Sequence, residues 1–198
     1  MAKIRREEVI DAGLELLNET GLEALTMRKL ALRLNVEAAS LYWHFKDKTA
    51  LLNAMASAIV LRHHRMPVAG DPTDWARWYT ENFRSFRAAL LTHRDGAKLH
   101  AATAPSASEF EQILPKIDLL VAAGFDDDAA RMALLAGGQF TMGSVLEEQA
   151  QGARAASAEA DPGEMTNSFD FGLSLLVAGL RSHLIDKLKQ TQAFPQRY

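Results

Sequence analysis

No cysteine occurs among the 198 residues of the chain. A disulfide scaffold, a thiolate nucleophile and a Cys-ligated zinc site are therefore excluded, and any metal must rely on histidine and carboxylates. Glycine and proline are sparse, at 12 and 6 positions, while 48% of residues are hydrophobic, so the chain is neither fibrous nor disordered. Charge of one sign is also lacking: the formal net charge is −3, and basic residues balance acidic ones over positions 1–50. Total charge thus gives no sign of a nucleic-acid partner, and its distribution has to decide. No apolar run has signal-peptide or membrane length, and Met1-Ala2-Lys3-Ile4-Arg5-Arg6 leads straight into an amphipathic pattern. The expectation is a soluble, cytoplasmic protein without a membrane partner. HExxH, a Gly-rich phosphate loop and a recognisable nucleophile with its base are missing too, so an enzyme is not expected.

What the chain does contain is helical periodicity from end to end. From Arg6 to Asn18, Val9, Ile10, Leu14, Leu16 and Leu17 recur at three- and four-residue steps, with Gly21 as a stop. Thr26 can cap a short helix through Leu34 that carries Met27, Leu30 and Leu34 on one face. Asn35 follows where the chain must turn, and asparagine tolerates the left-handed conformation that a tight turn needs. A third short helix spans about 38–45, with Leu41 and Phe45 as anchors and Ser40, Trp43 and His44 nearer the outside. Three short helices with tight turns make a helix-turn-helix unit over residues 1–47. Acidic Glu7, Asp11, Glu15 and Glu19 crowd the first helix, so a basic surface remains for phosphates if that face points away from DNA.

A longer helix, about 48–64, buries Leu51, Leu52, Met55 and Ile59 before Pro67, Gly70 and Pro72 break the pattern, which makes 48–66 a connector. Residues 67–198 then read as a helical ligand-binding and dimerisation domain, with helices at about 73–91, 108–123, 126–150 and 168–189. The fold class is all-α. Residues 150–167, which include Pro162-Gly163, read as a loop. Ala136, Gly137, Gly138 and Gly143 in one late helix, and Gly172, Ala178 and Gly179 in another, allow close approach of helix axes. With the stripe Phe169, Leu173, Leu176 and Leu180 they predict a four-helix homodimer interface, the alternative being packing within one chain.

The run from Leu25-Thr26-Met27-Arg28-Lys29-Leu30-Ala31 through Ser40-Leu41-Tyr42-Trp43-His44-Phe45-Lys46-Asp47-Lys48 resembles the DNA-binding domain of TetR-family repressors. Phe86-Arg87 to His100 and Phe140 to Gln149 are similar to the tetracycline repressors within that family. The resemblance implies an all-helical homodimer that binds a palindromic double-stranded operator and is released by a small-molecule inducer. That inducer would be a tetracycline chelated to Mg2+, or, as the alternative, an unrelated small ligand. A dimer further implies half-sites about one helical turn, roughly 34 to 36 Å, apart.

By the same resemblance Arg28 and Ser40 contact bases, while Tyr42, Trp43, His44 and Lys48 contact phosphates or thymine methyls. Tyr42 and Trp43 have core packing as their alternative, and Lys46 and Lys48 have plain solvation. Ala38 and Ala39 stand where the tetracycline repressors commonly carry Gln and Pro. Alanine cannot make a bidentate contact to adenine, so Ala38 reads its operator position through apolar contact or not at all. In the sensor the resemblance assigns the metal of a drug chelate to His100 directly and to Thr103 and Glu147 through water. His64, Asn82 and Phe86 would grip the organic ligand, and Pro105, in the segment that follows Thr103, is a further ligand-binding residue. Three features depart from the pattern. Ala104 replaces an arginine between Thr103 and Pro105, Lys116 replaces a ligand-binding glutamine, and residues 150–167 are shortened where a lid would cross to the partner's ligand. Lys116 places a cation near the pocket and favours a more acidic molecule.

Overall fold

The computed structural model describes residues 4–64, 71–154 and 162–193, which hold nine α-helices and no strand. Helix α1 (Arg6–Thr20) starts with a reciprocal Arg5–Glu8 cap. It stops at Gly21, whose φ of 77° is open to glycine and whose N–H bonds to the Leu17 carbonyl. The Thr26 side chain accepts from the Lys29 amide and opens α2 (Met27–Arg33). Asn35 then takes the left-handed conformation at φ 52°. Helix α3 (Ala38–Tyr42) is shorter than the periodicity suggested. Residues 43–45 leave the helix as a turn in which the His44 and Phe45 amides both reach the Leu41 carbonyl. Leu41 and Phe45 still serve as its anchors, at 0% and 2% exposure. Asp47 caps α4 (Lys48–His63) by accepting from the Ala50 amide.

Leu17, Leu25, Leu30, Leu41 and Leu51 are fully buried in the core of α1–α4, each contributing about 1.5–3 kcal/mol of transfer free energy. That core does not close on itself: Ala89 and Leu99 complete it. Ala89 belongs to α5 (Trp75–Leu91), which follows a 3-10 turn at Pro72–Asp74, and Leu99 to α6 (Gly96–Ala101). Sequence periodicity did not predict α6. Six residues are too few to display a 3.6-residue pattern, and the helix begins after Asp95 in the left-handed conformation at φ 56°.

A second core joins Trp75, Trp78, Tyr79 and Phe83 of α5 to three further helices. These are α7 (Ala107–Ala122), α8 (Asp127–Arg154) and α9 (Pro162–Ala193). The buried Tyr79 hydroxyl donates to the Ala133 carbonyl at 2.6 Å and ties α5 to α8. Helix α7 continues through Pro115. Pro162 is the first residue of α9, where the missing N–H is not needed, so helix covers both flanks of the stretch expected as a loop. The shortened lid expected at 150–167 centres on residues 155–161, which lie outside the described residues.

The dimer stripe expected from the sequence is corrected in part. Phe169 and Leu173 are 2% and 0% exposed inside their own chain, with Leu176 and Leu180 partly buried beside them. Gly172 likewise lets the Phe140 ring approach within one chain. Among the described residues, the large apolar side chains that α9 leaves exposed are Phe171, Leu175 and Ile185, off the expected register. A Cβ at Gly138, Gly143 or Gly179 would meet no atom within 4 Å, so these three glycines do not serve close packing within the chain.

Candidate functional site

At the N-terminal end several acidic side chains are held in ion pairs. Glu15 and Glu19 both pair with Arg33, Asp11 pairs with Arg62, and Glu23 pairs with Lys98. Arg28, Lys29, Lys46 and Lys48 have no carboxylate partner among the described residues and remain available to phosphates. Trp43 is 89% exposed and Tyr42 52% exposed, so neither is a core aromatic. Ala38, Ser40, His44 and Lys48 are half-buried, and Arg28 is exposed on α2. A tryptophan indole standing in water is costly to leave uncovered, and this one sits at the end of the helix that would enter a groove.

A cavity of about 820 Å³ lies between the C-terminal end of α4 and helices α5 to α8. His64, the residue that ends α4, lines it together with Asn82 and Phe86 of α5, His100 of α6 and Lys116 of α7. The Phe86 ring stands between two imidazoles, 5.5 Å from His64 and 5.4 Å from His100 by centroid. Asn82 is 2% exposed and its Oδ1 has no hydrogen-bond partner; the buried Nδ1 of His100 has none either. Unpaired buried polar atoms are expensive in a finished core and expected in a site that awaits a ligand.

Three expected residues are not brought to this cavity. The Thr103 hydroxyl donates to the His100 carbonyl at 2.9 Å and closes the turn after α6, and Pro105 is exposed in the same turn. Glu147 is exposed on α8 and does not line the cavity of its own chain. Conversely, α8 supplies a wall that sequence reasoning missed: Met132, Leu135, Gly138, Gln139, Met142 and Leu146. Their spacing carried no usable signal, because apolar and small residues occur on several faces of α8, which has neighbours on more than one side.

Electrostatics inside the cavity are unusual. Burial, followed by the nearby Lys116, pushes His64 down to about 3, so its imidazole is neutral at physiological pH. Its Nδ1 lies 3.2 Å from Ser85 Oγ and its Nε2 2.9 Å from Lys116 Nζ. Neutral imidazole accepts on one nitrogen only, so Lys116 donates to Nε2 while Nδ1–H donates to Ser85. Burial lowers Lys116 itself to about 8.

The unfolded chain holds the Lys116 proton up to 10.5, so the destabilisation from this buried cation is complete below pH 8 and fades between 8 and 10.5. Lys116→Met is therefore expected to raise stability at pH 7 by on the order of 1–3 kcal/mol, as for other poorly compensated buried polar groups. That gain should shrink by pH 10. Thermal melts at the two pH values check it, and an unchanged or lower melting temperature at pH 7 rejects it.

Residues 9–55 match the family model described as bacterial regulatory proteins, tetR family, and residues 67–166 match the tetracyclin repressor-like C-terminal domain. The chain is 41% identical over 201 residues to the class C tetracycline repressor protein of Escherichia coli, covering 91% of this chain and 92% of the relative. The chain belongs to the TetR family. Like other TetR-family repressors it is a ligand-responsive regulator that works as a dimer on operator DNA.

Two solved structures place this TetR-family chain among proteins with bound drugs. One is a point variant of the TetR of Acinetobacter baumannii AYE in complex with minocycline, with TM-score 0.83, 42% identity and coverage of 91% of this chain and 98% of the other. The second is class A TetR with 5a,6-anhydrotetracycline and magnesium, with TM-score 0.77, 43% identity and coverage of 88% and 96%. Among the described residues no helix is long and apolar enough to cross a membrane.

Proposed function

We propose that this TetR-family repressor acts in the cytoplasm as a homodimer, holds its operator through α2 and α3, and releases it when a tetracycline-type ligand, carried as a magnesium chelate, enters the cavity. The observation that carries this reading is the set of His64, Asn82, Phe86 and His100 converging on one cavity with Asn82 Oδ1 unpaired. Similarity to repressors named for tetracycline, one solved with magnesium, supports the ligand class. Domain bounds of 1–47, 48–66 and 67–198 fit this division of labour, with the end of the connector at 65–66 outside the described residues. Exposed Phe171, Leu175 and Ile185 on α9 supply apolar surface for the second subunit.

Magnesium fits the residues present on one condition. His100 offers a single nitrogen, and burial holds its pKa below the ordinary value, which favours the neutral form that can ligate. One imidazole suffices only for a hard ion that draws its other oxygens from the drug and from water. His100 would hold the ion of a bound chelate, and the ion would supply positive charge to the drug's oxygens. Thr103 would join through water, and Glu147 only when a second subunit delivers it, since within its own chain it faces solvent.

Helix α6 couples the two halves. His100 enters the cavity while its neighbour Leu99, at 0% exposure, enters the core of the DNA-binding helices. Lys98 pairs with Glu23, and Asp95 accepts from the Leu22 amide at 2.8 Å. A shift of α6 therefore moves the reading head, and α4 rests on the same helix. Ligand that binds the shifted arrangement better than the operator-bound one changes the populations. Operator retardation measured against tetracycline, with and without magnesium, tests the reading. Release that requires both supports it, and indifference to tetracycline at saturating magnesium rejects the ligand while leaving the repressor.

At the reading head, Arg28→Ala should weaken binding by about 1–3 kcal/mol and relax preference at one base pair. Lys48→Ala should weaken all sequences alike and reduce the salt slope by about one. Binding-site selection at two salt concentrations separates the two roles. Equal loss of preference in both variants would contradict the assignment.

A further inference from the structure

We propose that Lys116 is the specificity-determining cation of the effector cavity, and that the cavity takes ligands that present an anionic oxygen to it beside an apolar ring system. The proposal rests on the cavity being the effector site, but not on the ligand being a tetracycline. Four basic or imidazole side chains line the cavity, namely His64, His100, Lys116 and Arg131, and no aspartate or glutamate among the described residues lines it. Arg131 is already neutralised by Asp127, at 2.6 Å. His64 is held down to about 3 by burial and is neutral, and the buried Nδ1 of His100 has no hydrogen-bond partner. Lys116 is left as the lining cation without a carboxylate partner among the described residues, and its polar contact there is the neutral His64 at 2.9 Å.

A half-buried ammonium with one neutral acceptor keeps donors to spare, since an ammonium has three. Phe86, Ile113, Ile117 and Met142 line the same cavity and offer contact to a flat apolar body. A carboxylate, sulfonate or enolate oxygen delivered there meets a charge that is partly desolvated and not neutralised, where charge-assisted hydrogen bonds are strong. A ligand with a cationic group at the same place meets repulsion instead. Lys116 also occupies the Nε2 lone pair of His64, so ligand selection at this corner passes from the imidazole to the ammonium.

The test uses two fluorescent probes with the same aromatic frame, the anionic anilinonaphthalene sulfonate and the neutral phenylnaphthylamine, titrated into the full-length wild type, Lys116→Gln and Lys116→Arg. The wild type should prefer the anion. Lys116→Gln should lower the ratio of anion to neutral affinity about tenfold, and Lys116→Arg should restore most of it. A merely structural role for Lys116 would weaken both probes together and leave the ratio unmoved, which overturns the proposal, as does a wild type that binds no anionic probe. Tetracycline titration of the same samples is read separately. Failure there with the ratio shift intact removes the tetracycline reading and keeps Lys116 as the selector.

Discussion

His100→Ala is expected to remove the magnesium-dependent part of drug-induced release, raising the drug concentration needed by about the 10–100-fold that loss of a group supporting a metal site costs, or more. The His100 imidazole lines the cavity with its Nδ1 unpaired, whereas both nitrogens of His64 are engaged by Ser85 and Lys116, and its ring is set by contact with Phe86 at 5.4 Å. Alanine removes the nitrogen and that contact together, while Leu99 on the same helix keeps its place in the core of α1–α4. Operator affinity without drug serves as the folding control. Retardation assays with drug and magnesium, repeated with a chelator, give the measurement. Induction that survives the substitution at wild-type drug concentrations would exclude His100 from the site.

The second large effect is structural and concerns neighbouring glycines of α8. A Cβ at Gly137 would fall inside contact distance of the Phe83 ring and the Tyr79 hydroxyl. Those rings pack edge to face at 4.7 Å, and the Tyr79 hydroxyl is committed to the Ala133 carbonyl, so neither can give way cheaply. Gly137→Ala should destabilise the protein by about 1–3 kcal/mol or more. For a chain of this size that is a fall in melting temperature of roughly 2–4 °C for each kcal/mol. At Gly138 nothing lies within 4 Å, and the position lines the cavity. Gly138→Ala should hold or raise stability, by up to about 1 kcal/mol from helix propensity, and alter ligand affinity by narrowing the cavity. Melting curves of the two variants decide: a larger loss at 138 than at 137 would mean that the packing of α5 on α8 is misplaced.

In the proposed mechanism, coupling between the cavity and the reading head runs through α6. Successive residues on a short helix point in different directions, so His100 and Leu99 engage separate compartments of one chain. Packed interiors shift between discrete arrangements and do not deform smoothly, which lets a small displacement of His100 reach α4 and α1. The Asn18 side chain adds a polar seam there, accepting from the Arg94 amide at 3.0 Å and bonding to His93.

Legibility in the sequence followed the range of the interactions involved. Helices α1, α2 and α4, the Thr26 cap and the left-handed Asn35 were readable because each depends on residues within about one or two helical turns. His64, Asn82, Phe86, His100 and Lys116 were readable through resemblance, and the fold brings those five to one cavity. Tertiary contacts settled what periodicity left open. Phe169 and Leu173 were expected at a subunit interface, yet both are consumed within the chain, because an apolar stripe records that burial happens and not against which surface. Helix α6 was invisible at six residues, and the α8 wall could not be assigned to the cavity before its neighbours were known.

Local chemistry therefore specified an all-α chain with no cysteine chemistry and a capped helix-turn-helix, since caps, turns and periodicity act over a few residues. Long-range packing specified the rest. It set the half-buried Lys116 against a neutral His64 with no carboxylate partner among the described residues, turned Glu147 outward, and joined Leu99 to the reading head, because burial and charge pairing depend on which distant side chains arrive together.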